Sequence, residues 1–328
     1  MIVVTGGAGF IGSNLVAGLE ARGAREIVVC DRLGGGAKWR NLAKHELADI
    51  VPPERLTDFL AANKGRIDAV FHLGAISTTT ETDADAIIEN NLRATMALWD
   101  WCAANRIRLI YASSAATYGD GAQGFDDDNS IEALARLRPM NPYGWSKHLV
   151  DRRIARLVAE NGPRPPQHAG LKFFNVYGPN EYHKDGQISV ALKVFRETKD
   201  GGPALLFKSH RAGIADGEQK RDFIWVGDCV AAMLWLYDHP GVSGLFNLGT
   251  GKARSFADVA RAVFLALGRA PEIRYVDMPE QIRGSYQYFT EAQMKRLRAA
   301  GYDRQFTELE DGVARYVRGY LSKPDPYL

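Results

Sequence analysis

Short apolar runs alternate with amphipathic stretches through the first half of the chain. Ile2–Thr5, Glu26–Asp31, Ala69–His72 and Leu109–Ser113 are continuous and rich in Val, Ile and Phe. Runs of this length without polar alternation predict strands buried on both faces. Between them, Phe10–Arg22, Glu54–Asn63, Asp85–Asn105 and Pro142–Glu160 carry helical patterning. A β-α-β-α succession at this spacing implies α/β architecture, a doubly wound parallel sheet covered by helices on both sides. Leu171–Asn175 predicts one more strand, and after Tyr177-Gly178-Pro179 the rhythm breaks. Beyond it the pattern predicts helices near Ser189–Thr198, Asp228–Tyr237, Phe256–Leu267, Thr290–Ala300 and Glu308–Leu321. A polar loop over Ser209–Gln219 and a strand over Asp222–Val226 lie among them. The expected division is a large unit over residues 1–175 and a smaller C-terminal α/β lobe over 176–328, with a boundary that the chain crosses more than once.

Composition narrows the classes. The chain has 328 residues, 46% hydrophobic and 24% charged, and 41 Lys and Arg against 39 Asp and Glu leave a net charge of +2. Such a balance gives no electrostatic case for nucleic acid or an anionic membrane. No apolar run approaches the roughly 18 residues that a spanning helix needs. Met1-Ile2-Val3-Val4-Thr5 reads as a strand and not as the basic start of a signal peptide. Cys30, Cys102 and Cys229 are odd in number and far apart, so neither a disulfide framework nor a metal cluster is expected. These features point to a cytoplasmic enzyme.

Val4-Thr5-Gly6-Gly7-Ala8-Gly9-Phe10-Ile11-Gly12 places glycines at 6, 9 and 12 between the first strand and the first helix. Gly6 permits the tight turn, Gly9 lets the backbone approach a pyrophosphate, and Gly12 lets helix and strand pack closely. The free N–H groups and positive dipole end of the following helix would then hold phosphate. Residues 1–175 thus read as a dinucleotide-binding Rossmann domain. Asp31 ends the second strand, where an acid bonds the ribose of NAD. Arg32 and Lys38 follow, where cations suit the 2′-phosphate of NADP. Two cations beside one carboxylate favour NADP over NAD, with a solvated loop charge as the alternative for Lys38. Asp49 ends a short apolar segment as either an adenine contact or a surface turn.

Tyr143 and Lys147 stand four apart and so share one face of a helix. A phenol is a poor base near neutrality, and an adjacent ammonium favours its ionised form. Tyr143 can then exchange a proton with a substrate hydroxyl while a hydride passes to a nicotinamide. Upstream, Ser113 and Ser114 end a strand where hydroxyls would meet the reacting oxygen. His72 reads more simply as a core histidine, and Leu98, Trp99 and Trp101 as helix packing.

Taken together, the glycine trio, His72-Leu73-Gly74-Ala75, the Ser114 segment, Tyr143–Lys147 and Asn175-Val176-Tyr177-Gly178-Pro179 resemble the extended short-chain dehydrogenase/reductase family, whose members act on nucleotide sugars. Its dehydratases carry Asp-Glu after the catalytic hydroxyl; Ala115-Ala116 stand here, which disfavours dehydration. A narrower match to an epimerase branch runs through Ser77-Thr78-Thr79-Thr80-Glu81, Asn180-Glu181-Tyr182-His183-Lys184, Lys220-Arg221-Asp222-Phe223, Phe246–Gly251 and Tyr286-Gln287. It implies Ser114, Tyr143, Lys147 and Lys184 as the catalytic group. Lys184 would be the second acid/base; an ordinary phosphate-binding lysine is the alternative.

The resemblance also implies NADP contacts from Gly6, Gly9, Phe10, Ile11 and Gly12, and from Asp31, Arg32 and Lys38. Leu73, Gly74, Ala75, Ile76 and Ser77, with Asn90, Lys147 and Val176, complete that set. For an ADP-linked sugar it implies Ser114, Asn175, Gly186, Lys193 and Arg221. Phe207, Lys208, Ser209, His210 and Tyr286 join them, although Lys193 also reads as a solvent-exposed charge and Tyr286 as core. The family further implies a homo-oligomer, a pentamer in the branch matched. A UDP-hexose 4-epimerase would share everything up to position 179 and differ at Lys184. A regulator that binds NADP without chemistry would have lost Tyr143 or Lys147.

Overall fold

The computed structural model describes residues 1–283 and 286–328. In chain order its strands are β1 (Ile2–Thr5), β2 (Ile27–Cys30), β3 (Asp49–Val51), β4 (Ala69–His72), β5 (Arg108–Ser114) and β6 (His168–Phe173). The later strands are β7 (Asn175–Tyr177), β8 (Ala204–Phe207), β9 (Lys220–Trp225), β10 (Gly244–Leu248), β11 (Ala253–Ser255) and β12 (Ile273–Val276). Seven of them form a parallel sheet in the order β10-β6-β5-β4-β1-β2-β3. The order reverses between β1 and β4, which opens a crevice at the carboxyl ends of those strands. Both loops that begin there, Gly6–Gly9 and Leu73–Ser77, belong to the motifs singled out above.

Alternate residues of each strand feed opposite faces. Val4, Phe71, Ile110 and Leu171 pack with Leu15, Cys229, Met233 and Leu236, under the helices Phe10–Ala21 and Val226–Asp238. Val3, Val28, Val70 and Leu109 pack with Trp99, Cys102, Val150 and Ile154, under the helices Ala94–Asn105 and Pro142–Ala159. The second lobe has its own core around Phe195, Leu206, Trp225, Val263, Val313 and Tyr316. Two small sheets carry it, β11-β9-β7 and β12-β8.

The predicted strands and long helices of the first half are present, with ends moved by one or two residues. Three expectations change. Leu171–Asn175 is not one strand, because the chain turns at Phe174, whose N–H donates to Leu248 O at 3.1 Å, and restarts as β7 in a different sheet. Thr290–Ala300 is helical only over Lys295–Ala299. Its first residues are tied instead to β9: the Thr290 N–H reaches Lys220 O and the Ala292 N–H reaches Asp222 Oδ2 at 3.0 Å. Asp49 opens β3 instead of ending an apolar segment, and its carboxylate caps its own neighbour, Ile50 N–H, at 2.8 Å. No helix among the described residues is long and apolar enough to cross a membrane.

Candidate active site

Close packing dictates glycine in the loop after β1. Gly6 has φ +68°, and a Cβ there would stand 2.6 Å from Gly74 N; a Cβ on Gly12 would stand 2.1 Å from Gly6 O. Gly9 begins the helix Phe10–Ala21 with no side-chain cap and no acid in the first turn. That helix end therefore offers unfilled N–H donors and a positive dipole end to an anion. Asp31, at the end of β2, braces the loop by accepting from Ala8 N–H at 2.9 Å. Lys38 donates to the same carboxylate at 2.6 Å and to Arg32 O at 3.0 Å. Arg32 turns away to pair with Glu54, and its side chain is 61% exposed.

Beyond the loop lies a cavity of about 860 Å³. Gly6, Gly9, Phe10, Ile11, Gly12, Asp31, Lys38, Leu73, Gly74, Ala75, Ser77 and Val176 line one end. A neighbouring hollow of about 500 Å³ shares Gly6, Asp31, Lys38, Gly74 and Ala75, and adds Arg32, Ile76 and Asn90 beside apolar Pro53, Leu56 and Leu98. The geometry suits a dinucleotide: a backbone cradle for phosphates, a carboxylate for ribose and an apolar slot for a base.

Ser114, Tyr143 and Lys147 line the same cavity, with the Ser114 hydroxyl beside the Tyr143 phenol. Asn141 caps the helix that carries the pair, accepting from Gly144 N–H at 2.8 Å, and Pro142 opens its first turn. Burial raises the Tyr143 phenol, while the Ser114 hydroxyl beside it works in the opposite direction. Lys147 is 2% exposed, and burial pushes it down to about 8 against the pull of Asp151. His72 is a core residue as expected: its ring nitrogens bond Thr5 Oγ1 at 2.6 Å and Thr95 Oγ1 at 2.9 Å, and burial pushes it down to about 3.

Lys184 enters the cavity from the loop after β7, with Nζ 5.0 Å from the centre of the Phe10 ring. Burial lowers it from the usual lysine range, and the buried Glu181 holds it up. Glu181 in turn accepts from Ser189 Oγ at 2.6 Å and Tyr316 OH at 3.0 Å. Asn175, Gly186, Lys193, Phe207, Arg221 and Tyr286 line the same cavity. Arg221 is 6% exposed and stands 5.2 Å from the Tyr286 ring centre. Lys193 is half solvated, donating to Leu205 O at 2.7 Å beside Glu197.

Lys208, Ser209 and His210 are not brought to the cavity. Lys208 is drawn toward β12, with its N–H on Val276 O at 2.8 Å and its ammonium 3.3 Å from Asp277. Ser209 and His210 N–H groups are spent on Asp216 Oδ1 and Tyr288 OH. In their place Gln219, absent from the expected set, lines the cavity and is 1% exposed. Asn91 was also missed. It sits in a widened turn over Ile88–Arg93, where it clamps Ile76 through both N–H and C=O and reaches Ser146 Oγ at 3.0 Å. It thereby fixes the loop after β4 to the helix of Tyr143. The adjacent Asn90-Asn91 pair was the signal available for it.

Residues 2–249 match the model of the NAD dependent epimerase/dehydratase family. The ADP-L-glycero-D-manno-heptose-6-epimerase of Nitratidesulfovibrio vulgaris is 51% identical, with all of both chains aligned. The crystal structure of the Helicobacter pylori ADP-L-glycero-D-manno-heptose-6-epimerase superposes with a TM-score of 0.77 at 25% identity, covering 97% of this chain and 95% of that one. The Thermus thermophilus UDP-glucose 4-epimerase in complex with NAD superposes with a TM-score of 0.76 at 26% identity over 97% of each chain. Together with a glycine cradle, a Ser-Tyr-Lys set and a second lysine in one cavity, these matches place the chain: it belongs to the NAD dependent epimerase/dehydratase family, in the group of the ADP-L-glycero-D-manno-heptose-6-epimerases.

Proposed function

We propose that this chain converts ADP-D-glycero-D-manno-heptose to ADP-L-glycero-D-manno-heptose by inverting C6, in the supply of heptose for the lipopolysaccharide core, with NADP as the resident cofactor. The observation that carries this reading is the presence of two proton-exchanging groups, Tyr143 and Lys184, on separate elements of one cavity. Bound NADP would supply reversible removal of a hydride from the side-chain carbinol. The chain's own part is proton transfer, orientation and exclusion of water. Residues 1–175 hold the cofactor and 176–328 the substrate, and the chain works as a homo-oligomer.

In this reading the helix end at Phe10–Gly12 holds the pyrophosphate, Asp31 the adenosine ribose, and Lys38 the 2′-phosphate. Lys147, buried in the same cavity, serves the nicotinamide ribose and opposes with its positive charge the burial that raises the Tyr143 phenol. Tyr143 takes the proton of the C6 hydroxyl in one presentation of the substrate, steadied by Ser114. Lys184 serves the opposite presentation after the oxidised side chain has turned, its ammonium weakened by burial. Arg221 and Lys193 meet the diphosphate, and Tyr286 and Gln219 meet the nucleoside. Two negative phosphates call for cations, and a guanidinium grips oxygens in pairs.

The test is purified protein with ADP-D-glycero-D-manno-heptose, followed by NMR for the L-glycero epimer, with UDP-galactose in parallel. Heptose inversion without hexose inversion is expected. Efficient 4-epimerisation of the UDP-hexose with no turnover of the heptose would replace this reading with that of its hexose relatives.

A further inference from the structure

Behind the catalytic pair lies a charge that the reaction as described does not use. Asp151 follows Lys147 by one helical turn and Tyr143 by two, on the same helix Pro142–Ala159. Its side chain is 0% exposed, and that of Lys172, on β6, is 1% exposed. The Lys172 ammonium stands 3.5 Å from Asp151 Oδ2, and Ser113, next to Ser114 at the end of β5, donates to the same oxygen at 2.8 Å. Asp151 Oδ1 has no hydrogen-bond partner among the described residues. Lys172 also donates to Thr117 Oγ1 at 2.9 Å and lies 4.2 Å from the centre of the Tyr118 ring. One buried carboxyl therefore lies against one buried lysine and one helical turn from another, that of the catalytic pair; burial raises the carboxyl and lowers both lysines, and their mutual attraction opposes it.

We infer that Asp151 is a positioning residue that divides its negative charge between Lys147 and Lys172, and so sets the pH window in which Tyr143 and Lys147 exchange protons. This rests on the acid/base reading of that pair. A buried pair without full satisfaction is a poor device for stability, since desolvation offsets the attraction. Its value here is electrostatic. Every charged or titratable neighbour fits one account. On its own helix Asp151 faces Tyr143, Lys147 and the neutral His148, which burial holds down at about 4. From β5 and the turn after it come Tyr111, Ser113 and Tyr118, whose phenols burial keeps protonated. From β6 comes Lys172, which Asp127 also reaches. On the far side Asp151 borders a hollow of about 820 Å³ shared with Arg106, Arg164 and Arg296, of which the first two are exposed and so screened.

The sign does not depend on which proton of the pair leaves first. Tyr143 and Lys147 titrate together, and their macroscopic values belong to the pair. Taking away a negative charge beside them lowers both values, and taking away a positive charge raises both. Asp151→Asn should therefore move both limbs of the kcat/KM pH profile toward acid, by about one pH unit for a buried charge at this range. Lys172→Gln should move both limbs toward alkali by a similar amount. The double variant, Asp151→Asn with Lys172→Gln, should return the limbs close to the parental positions.

A role confined to holding the helix predicts loss of rate with unmoved limbs, or movement in the same direction for both single variants. Either outcome overturns the inference. If Asp151→Asn does not fold with Lys172 left unpaired, Lys172→Gln and the neutral double variant still decide it. Tyr143→Phe serves as the control. Undiminished epimerisation by that variant would sink the acid/base reading itself, whereas a dead Tyr143→Phe with immobile limbs elsewhere would sink this inference alone.

Discussion

Lys38 reaches Asp31 across the mouth of the cofactor cradle, with its Nζ 2.6 Å from Oδ1, while its side chain stays only 24% exposed. Asp31 is thereby partly neutralised at the position where a free carboxylate would repel a 2′-phosphate. Arg32, the other cation expected there, is spent on Glu54 in an exposed pair. Under the proposed NADP reading, Lys38 is therefore the cation expected to meet the 2′-phosphate. Lys38→Ala should lower the preference for NADP over NAD by about tenfold to a hundredfold, the range of one charge-assisted hydrogen bond. Arg32→Ala should change it much less, because exposed ion pairs contribute little. Mass analysis of nucleotide released by acid checks both. NAD alone in the parental protein would mean that Asp31 outweighs its lysine.

Glu181 offers a prediction with a definite pH sign. Its carboxylate holds Lys184 above the value that burial alone would give. In the proposed D-to-L direction Lys184 returns a proton to the ketone oxygen and must be protonated, so the rate should fall as pH rises through its lowered pKa. Glu181→Gln removes the charge that holds Lys184 up, and the alkaline limb of the kcat profile should move to lower pH. The amide still accepts from Ser189 and Tyr316 at part of the carboxylate's strength, so the loop should remain. An alkaline limb that stayed in place would show that Lys184 does not govern it.

How much of this was legible in the chain follows from the range over which each role is set. The glycine trio and the Tyr143–Lys147 spacing were readable because one turn and one helical face define them. His72 was readable because apolar neighbours along its strand surround it. Lys208, Ser209 and His210 stand apart from the cavity because their direction is set by the pairing of β8 with β12, whose partner residues lie far along the chain. Asp151 carries no signal of its own in the sequence, because its partner Lys172 arrives on a strand. The same holds for Asp222, whose carboxylate gathers Thr250, Gly251 and Ala292 N–H groups from two later segments. Such carboxylates are defined by what folds onto them, and neither periodicity nor composition records that.

Residues 325–328 bind two loops of the cradle together. Tyr182 OH donates to Pro326 O at 2.7 Å, Leu328 N–H to Asn180 Oδ1 at 3.0 Å, and Lys44 pairs with Asp325 at 2.9 Å. The Arg40 guanidinium lies 4.9 Å from the Tyr327 ring centre. One loop carries Lys38 and the other Lys184. Removing residues 325–328 loses three hydrogen bonds, the third from Lys44 Nζ to Tyr327 O, and one exposed pair, about 3 kcal/mol together. A fall of several degrees in Tm is expected, together with faster loss of cofactor on gel filtration. Unchanged retention would restrict this segment to a surface contact.

The last prediction separates the duties of Tyr143 and Lys184. The two residues come from different elements, the helix after Asn141 and the loop after β7, and both line the cavity in which the sugar would turn. A base on one side of a carbonyl serves one hydride transfer of an inversion, unless the substrate returns its oxygen to the same place. If the two residues serve opposite presentations, Tyr143→Phe and Lys184→Met should each lose net epimerisation by about 10²–10⁴-fold. Both variants should still retain cofactor, since the glycine cradle and Lys147 are untouched. A truncated ADP-sugar aldehyde gives the sharper reading. In its dismutation one molecule is oxidised and another reduced, and a single competent base suffices. Each single variant should keep part of that activity and the double variant should lose it. Epimerisation at the parental rate by Lys184→Met would reduce Lys184 to a binding residue. Tyr143 would then have to serve both half-reactions, and rotation of the oxidised side chain about its own bond would supply the inversion.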